Sequence, residues 1–74
     1  MKGSTVRKKF GNAIKKRREE LELSQELLAE KAGVHRNYMG SAERGERNVA
    51  LENIHKICKA LHLTVAELMT EAGL

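Results

Sequence analysis

The stretch Leu27–Gly45, "LLAEKAGVHRNYMGSAERG", decides how this chain folds. Gly33 divides it into two short segments of helical character, and glycine readily takes the left-handed backbone conformation that ends a helix. The second segment keeps another glycine, Gly40, although glycine inside a helix costs about 1 kcal/mol relative to alanine. We interpret Gly40 as a position that something large approaches closely. The alternative is an incidental glycine on a solvated helix.

Composition predicts one small all-α domain over residues 1–74. Hydrophobic residues make up 41% of the chain, proline is absent, and strong helix formers dominate. A single cysteine excludes an internal disulfide and fits a reducing cytoplasm. No apolar run approaches the roughly 18 residues that cross a bilayer, and "MKGSTVRKKF" lacks the apolar segment of a secretory signal. We therefore expect a cytoplasmic protein with no membrane partner.

Charge is distributed unevenly along the chain. The formal net charge is +4. Residues 1–18 carry eight basic groups and no acidic one, whereas residues 19–74 carry six basic and ten acidic groups. A basic end on a mildly acidic body favours a polyanionic partner. A solvated, charged helix face is the alternative.

Apolar spacing and capping residues predict five short helices. Ser24 is suited to cap the second helix, and Thr64 with Glu67 forms a capping-box pattern before the fifth. The predicted helices span residues 5–21, 25–32, 35–43, 50–61 and 65–71, after a flexible N-terminal arm over residues 1–4. The residues that the fourth helix is expected to bury are Leu51, Ile54, Ile57, Cys58 and Leu61.

One side of the third helix carries polar side chains suited to reading DNA bases. At about 100° per residue, four of its residues fall on this side, opposite Tyr38, Met39 and Ala42. Arginine can donate two hydrogen bonds to guanine, asparagine can pair with adenine, and serine can donate or accept. A missing side chain would let the helix press close to the base edges. We call this set the reading face: Arg36, Asn37, Gly40 and Ser41.

Residues on either side of the third helix are suited to phosphate binding. Gln25 opens the second helix, where free N–H groups and the helix dipole favour an anion. Arg44, Arg47 and Asn48 follow the reading face. Backbone contacts that bracket a base-reading helix are the usual division of labour in DNA-binding proteins.

The stretch "SQELLAEKAGVHRNYMGSAERGER" resembles the helix-turn-helix of the Cro/CI-type (Xre) family, and the resemblance covers about residues 8–71. It implies a five-helix, lambda-repressor-like fold with the second and third helices as the DNA-binding motif. It also implies an ion pair between Arg18 and Glu43. "VHRNYMGSAERGERN" is most similar, within this family, to controller proteins of restriction–modification systems. The DNA contacts that the resemblance implies are Ser24, Gln25, Arg36, Asn37, Gly40, Ser41, Arg44 and Arg47.

The chain departs from the family pattern at a few positions. Ala42 stands where Ile or Leu is more frequent, and Glu22 replaces a common glycine after the first helix. Arg17 stands where Leu is frequent, and Val49-Ala50 replaces a common Pro-Ser. None of these positions belongs to the reading face, so they bear on packing and helix boundaries.

Other classes of function have weaker signals. His55, Cys58 and His62 have a spacing that could hold a metal, but Cys58 shares its face with apolar residues, and we expect no metal and no cofactor. The chain has no aspartate, no phosphate-cradling glycine loop and no nucleophile–base pair. We therefore expect no enzyme and no small-molecule ligand. The alternative to a DNA-binding regulator is a protein-interaction module, such as an antitoxin or adaptor, with secondary DNA binding.

A regulator of this size is expected to work as an autoregulatory homodimer on an inverted-repeat operator, because one reading helix covers only a few base pairs. RNA polymerase is a further candidate partner, and activation or repression depends on the position of the operator. The fifth helix carries more apolar groups than one short helix needs for its own packing. The alternative is that these apolar residues close the core of the single chain. We call the predicted interface the C-terminal apolar patch: Val49, Leu63, Val65, Leu68, Met69 and Leu74.

Overall fold

The computed structural model describes residues 4–74, which form five helices and no strand, so the predicted all-α class is confirmed. The second and fifth helices have the predicted bounds, the third begins one residue later than predicted, and the first and fourth differ from the prediction by one residue at each end. None of the helices in the described range has the length and apolarity that a membrane crossing requires. The helices are α1 Ser4–Glu20, α2 Gln25–Ala32, α3 Arg36–Glu43, α4 Leu51–Ala60 and α5 Val65–Glu71.

The predicted N-terminal arm needs correction at its last residue. Ser4 begins α1, so the helix starts one residue earlier than the apolar spacing indicates. Residues 1–3 of that arm lie outside the described residues.

Helix ends follow the predicted capping chemistry. The Ser24 hydroxyl accepts the backbone N–H of Leu27 at 3.0 Å, and Thr64 and Glu67 form both bonds of a capping box. Gly33 ends α2 in the left-handed conformation, with φ at 73°. Glu22 adopts the same kind of backbone, with φ at 58°. The turn after α1 therefore keeps a left-handed residue although its side chain makes that conformation less favourable.

All five helices contribute to one core. Leu28 and Met39 from the helix-turn-helix meet Ile14 of α1 in its interior. The structure places two apolar residues differently from the prediction. Leu51 is 73% exposed, because it is the first residue of α4 and lies at the surface end of that helix. Leu68, predicted for the C-terminal apolar patch, is 0% exposed and closes the core of the single chain from α5.

Helix α1 crosses the end of α3 at very close range. A Cβ atom on Gly11 would lie 2.4 Å from the Glu43 carbonyl oxygen and 2.5 Å from that of Ala42. Only glycine leaves room for this approach, because the neighbouring atoms are backbone. The small Ala42, which is 1% exposed, lies at the same crossing.

Candidate nucleic-acid interface

The α2–turn–α3 unit is a helix-turn-helix. Ala29 is buried, and its carbonyl accepts the N–H of Val34 at 3.0 Å across the turn at Gly33. Small side chains at such a crossing allow the two helices to pack closely. The turn and the buried apolar side of α3 together leave Arg36 and Asn37 exposed at the start of that helix.

Glu43 ties α3 to both preceding helices. Arg18 donates from Nε to Glu43 Oε2 at 2.6 Å and from Nη2 to Oε1 at 3.0 Å, and the two side chains are only 11% and 2% exposed. Arg18 also donates to the Leu23 carbonyl at 2.9 Å. The hydrogen bond with Glu43 raises the pKa of Arg18. The predicted ion pair is therefore confirmed, and it fixes the position of α3 relative to α1.

Gln25 is oriented by the same carboxylate. Its Nε2 donates to Glu43 Oε1 at 2.9 Å, and its Oε1 lies beside Gly40 of the same helix. A Cβ atom on Gly40 would lie 3.4 Å from Gln25 Oε1 and 3.2 Å from Arg44 Nη1. Gly40 is itself buried. In this structure the space at Gly40 is therefore taken by two flexible polar side chains of the chain itself.

The exposed start of α3 is shaped by two side chains that the sequence patterns do not single out. His35 caps the helix, since its Nδ1 accepts the backbone N–H of Asn37 at 3.0 Å. Glu26, near the start of α2, accepts from Arg36 Nη1 at 2.8 Å. In the sequence, His35 and Glu26 form no distinctive motif with Arg36. Only the folded helix-turn-helix brings them to Arg36 and Asn37.

Ser41 is placed differently from the prediction that it reads bases. Ser41 is 9% exposed, and its hydroxyl donates to the Tyr38 carbonyl at 2.9 Å and accepts from Arg47 Nε at 2.7 Å. The Arg47 guanidinium also lies over the Tyr38 ring, 4.7 Å from its centroid. Asn53 of α4 donates to the Tyr38 hydroxyl at 3.1 Å. Because these contacts use the hydroxyl within the chain, Ser41 positions Arg47 rather than presenting a free polar group.

The remaining predicted phosphate ligands lie after the C-terminal end of α3 and at the start of α2. Arg44 makes a two-point ion pair with Glu46, with distances of 3.0 Å from Nε and 3.1 Å from Nη2. Its hydrogen bond lowers the pKa of Glu46, and the same bond raises the pKa of Arg44. Asn48 is exposed beyond this pair, and Ser24 is exposed at the start of α2. Any phosphate at Arg44 therefore competes with a carboxylate already in place.

Exposure in the structure differs from the predicted C-terminal apolar patch at two residues. Leu68 is buried, and Leu51, which is outside the predicted set, is exposed. Val65 is partly buried, whereas Leu74 at 49% exposure and Leu51 leave large apolar surface in solvent. A shallow groove beside α5 is lined in part by Val49, Met69 and Leu74. The other predicted member, Leu63, is partly buried. Apolar surface therefore remains in two places, one at the starts of α4 and α5 and one beside the C-terminal end of α5.

The cysteine and histidines of α4 do not assemble a site. Cys58 is buried at 1% exposure, and burial raises the pKa of its thiol. His62 follows α4 in the left-handed conformation, with φ at 59°. Over residues 4–74, no group of three or more His, Cys, Asp or Glu side chains could hold a metal ion.

Comparison with known proteins identifies the class that this fold and site define. The helix-turn-helix family matches residues 14–68. The chain belongs to the Cro/CI-type (Xre) helix-turn-helix family of DNA-binding transcription regulators.

Several relatives are named as controller proteins. Control protein C.SmaI of Serratia marcescens is 54% identical over 70% of this chain, which spans 62% of that protein's length. Control protein C.MunI of Mycoplasma sp is 42% identical over 89% of this chain and 90% of its own length. The crystal structure of the restriction-modification controller protein C.AhdI from Aeromonas hydrophila has a TM-score of 0.81 and 46% identity, covering 82% of this chain and 92% of that chain. The resemblance read from the sequence is thus confirmed.

Proposed function

We propose that this chain is a sequence-specific regulator that places α3 in the major groove of double-stranded DNA. The observation that carries the proposal is the exposed pair of Arg36 and Asn37 at the start of α3, with Arg47 held against Tyr38 and Ser41 after the other end of that helix. Guanidinium and amide groups at this end of a recognition helix match the donors and acceptors of guanine and adenine. Ser24, Gln25, Arg44, Arg47 and Asn48 are the proposed phosphate ligands.

Arg36 and Arg47 are expected to affect binding in different ways. Arg36→Ala should cost about 1–3 kcal/mol at one or two base positions of each half-site, because it removes a base-reading donor. Arg47→Ala should weaken binding to all DNA sequences by a similar factor, because it removes a phosphate contact. Selection from randomised DNA, followed by binding measurements on the selected and scrambled sites, separates the two outcomes.

Lys31→Ala is the matched control for these variants. It removes one positive charge from the exposed end of α2, beside Lys56 and Lys59 of α4 rather than at the reading face. Its sequence preference should be that of the unaltered protein. If Arg36→Ala also kept that preference, the assignment of α3 as the base-reading helix would be wrong.

We further propose that the regulator is a homodimer with a two-fold axis, assembled through the starts of α4 and α5. The exposed Leu51 and the partly buried Val65 line one shallow cleft there, and Val49, Met69 and Leu74 line part of a second groove. A two-fold dimer uses the same patch on both copies, so a few exposed apolar groups are counted twice. The two α3 helices would lie about 34 Å apart, which matches an inverted repeat with half-site centres about 10 base pairs apart.

Leu51→Glu should convert the dimer to a monomer without unfolding it. A glutamate in the first turn of α4 favours that helix electrostatically, whereas at the proposed interface it would bury two uncompensated charges. Sedimentation at micromolar concentration checks the mass, and circular dichroism checks the fold. Leu27→Glu, at an exposed leucine of α2, is the control and should stay dimeric. An unaltered protein that sediments as a monomer, free and on DNA, would rule out this interface.

The biological setting that we propose is control of a restriction–modification system from the cytoplasm, through an operator upstream of the regulator's own gene. The relatives named as controller proteins and the DNA-binding fold support control of a restriction–modification system. The one cysteine, which is buried and unpaired, fits the reducing cytoplasm. RNA polymerase is the proposed partner when the operator lies at an activating position, and we propose no enzymatic activity. A gel shift with upstream DNA, and the identity of the neighbouring genes, test this setting. A stoichiometric protein partner without DNA binding would favour an antitoxin or adaptor instead.

A further inference from the structure

We infer that Glu26 is a specificity-determining positioning residue, which holds the Arg36 guanidinium in the orientation that reads a base. The inference rests on the proposed function, because it assigns a role within the same α2–α3 surface. Glu26 is the second residue of α2 and Arg36 is the first residue of α3, so the fold brings them together across the turn. The Glu26 Oε2 to Arg36 Nη1 distance is 2.8 Å.

The ion pair between Glu26 and Arg36 is poorly placed to stabilise the fold. Their side chains are 69% and 62% exposed, and ion pairs with such exposure contribute little to stability because water screens them and both side chains lose freedom. The same pairing has a clear consequence at a DNA surface. It places a carboxylate beside the arginine at the end of α3 that would face the bases. The effect of Glu26 is therefore expected in recognition rather than in folding.

The geometry of the guanidinium explains how one carboxylate can direct base reading. Glu26 occupies Nη1, while Nε and Nη2 have no hydrogen-bond partner among residues 4–74. Those two nitrogens form the second donor edge of the group, which can reach guanine O6 and N7 together. An arginine already held by Glu26 loses less conformational freedom on binding its base than a free arginine does.

The negative charge of Glu26 adds discrimination against other DNA sequences. A carboxylate near the phosphates opposes binding to any DNA, so only a site that satisfies Arg36 offsets the repulsion. Without Glu26, Arg36 could turn towards a phosphate or another base. We therefore expect the carboxylate to lower general DNA affinity while it raises the preference for the base that Arg36 reads.

The test is a double-mutant cycle on the intact chain, with Glu26→Gln, Arg36→Ala and the combined variant. For each protein, competition binding compares the selected operator with operators altered at the position where Arg36→Ala relaxes preference. Glu26→Gln should reduce discrimination at that position about tenfold, within the range of one bidentate base contact. In the Arg36→Ala background the same substitution should change discrimination by less than about twofold, since the residue acts through Arg36.

Glu30→Gln is the matched control, because it removes the same charge one turn further along the exposed side of α2. Both Gln variants should strengthen binding to scrambled DNA by a similar factor, but Glu30→Gln should keep the operator preference. Unchanged discrimination in Glu26→Gln overturns the inference while leaving the proposed function intact. A loss that persists without Arg36 also overturns it, since Glu26 would then contact a base directly. If the unaltered protein shows no sequence preference, the proposed function itself fails.

Discussion

Glu43→Gln is expected to lower the free energy of unfolding by about 3 kcal/mol, the lower end of the cost of removing one partner from a buried ion pair. The substitution keeps the volume of the side chain but leaves the Arg18 guanidinium without its opposite charge in a largely buried place. It also changes the acceptor that orients Gln25. For a domain of this size the melting temperature should fall by at least about 12 °C.

The corresponding control is Glu46→Gln, which breaks the exposed ion pair with Arg44. Its melting temperature should stay close to that of the unaltered protein, because exposed ion pairs contribute little. Thermal and urea unfolding of the three proteins measure the difference. Equal stability of Glu43→Gln and the unaltered protein would contradict the view that Glu43 fixes α3 in place.

The fold could be predicted because its decisive features are local. A glycine that ends α2, a capping serine before it and apolar spacing over a few turns each act within one or two helical turns. The structure bears these out at Gly33 and Ser24. The resemblance added the one long-range contact that was predicted correctly, between Arg18 and Glu43.

The errors of prediction arise where a helix ends or two helices cross. Helical periodicity predicts a buried Leu51, and the surplus of apolar residues in the fifth helix predicts Leu68 at an interface. In the structure the start of α4 is at the surface, and Leu68 closes the core from α5. Periodicity describes the side of a helix, but not how far along its length the neighbouring helices reach. Gly11 is not predictable from the sequence for the same reason, since only the approach of α3 requires a glycine there.

The reading surface was predicted in outline and not in detail. Arg36 and Asn37 are exposed as expected, but the partners of the arginines follow from rotamers that no spacing rule specifies. The Ser41 hydroxyl accepts a hydrogen bond from Arg47, and the Glu26 carboxylate accepts one from Arg36. The acidic partners of Arg36 and Arg44, which are Glu26 and Glu46, follow from no motif in the sequence.

The number of phosphates that the protein contacts determines how DNA binding should respond to salt. Each phosphate that Lys or Arg neutralises releases counterions from DNA, and the logarithm of affinity falls by about 0.9 per phosphate for each tenfold rise in salt. A dimer that contacts roughly 6–10 phosphates should lose about 10³–10⁵ in operator affinity between 50 and 200 mM salt. Binding titrations at four or more salt concentrations give the slope.

Arg44 provides the sharpest variant for that measurement, because its proposed phosphate contact would replace the ion pair with Glu46. Arg44→Gln removes one phosphate contact from each protomer, so the slope for the dimer should become shallower by about 1.8. Lys31→Gln removes an equal charge away from the reading face and should leave the slope unchanged. If Arg44 stays with Glu46 on DNA, the slope of Arg44→Gln will equal that of the unaltered protein. A response to salt that is flat in all three proteins would instead point to a protein partner, because the release of counterions is inherent to binding a polyphosphate.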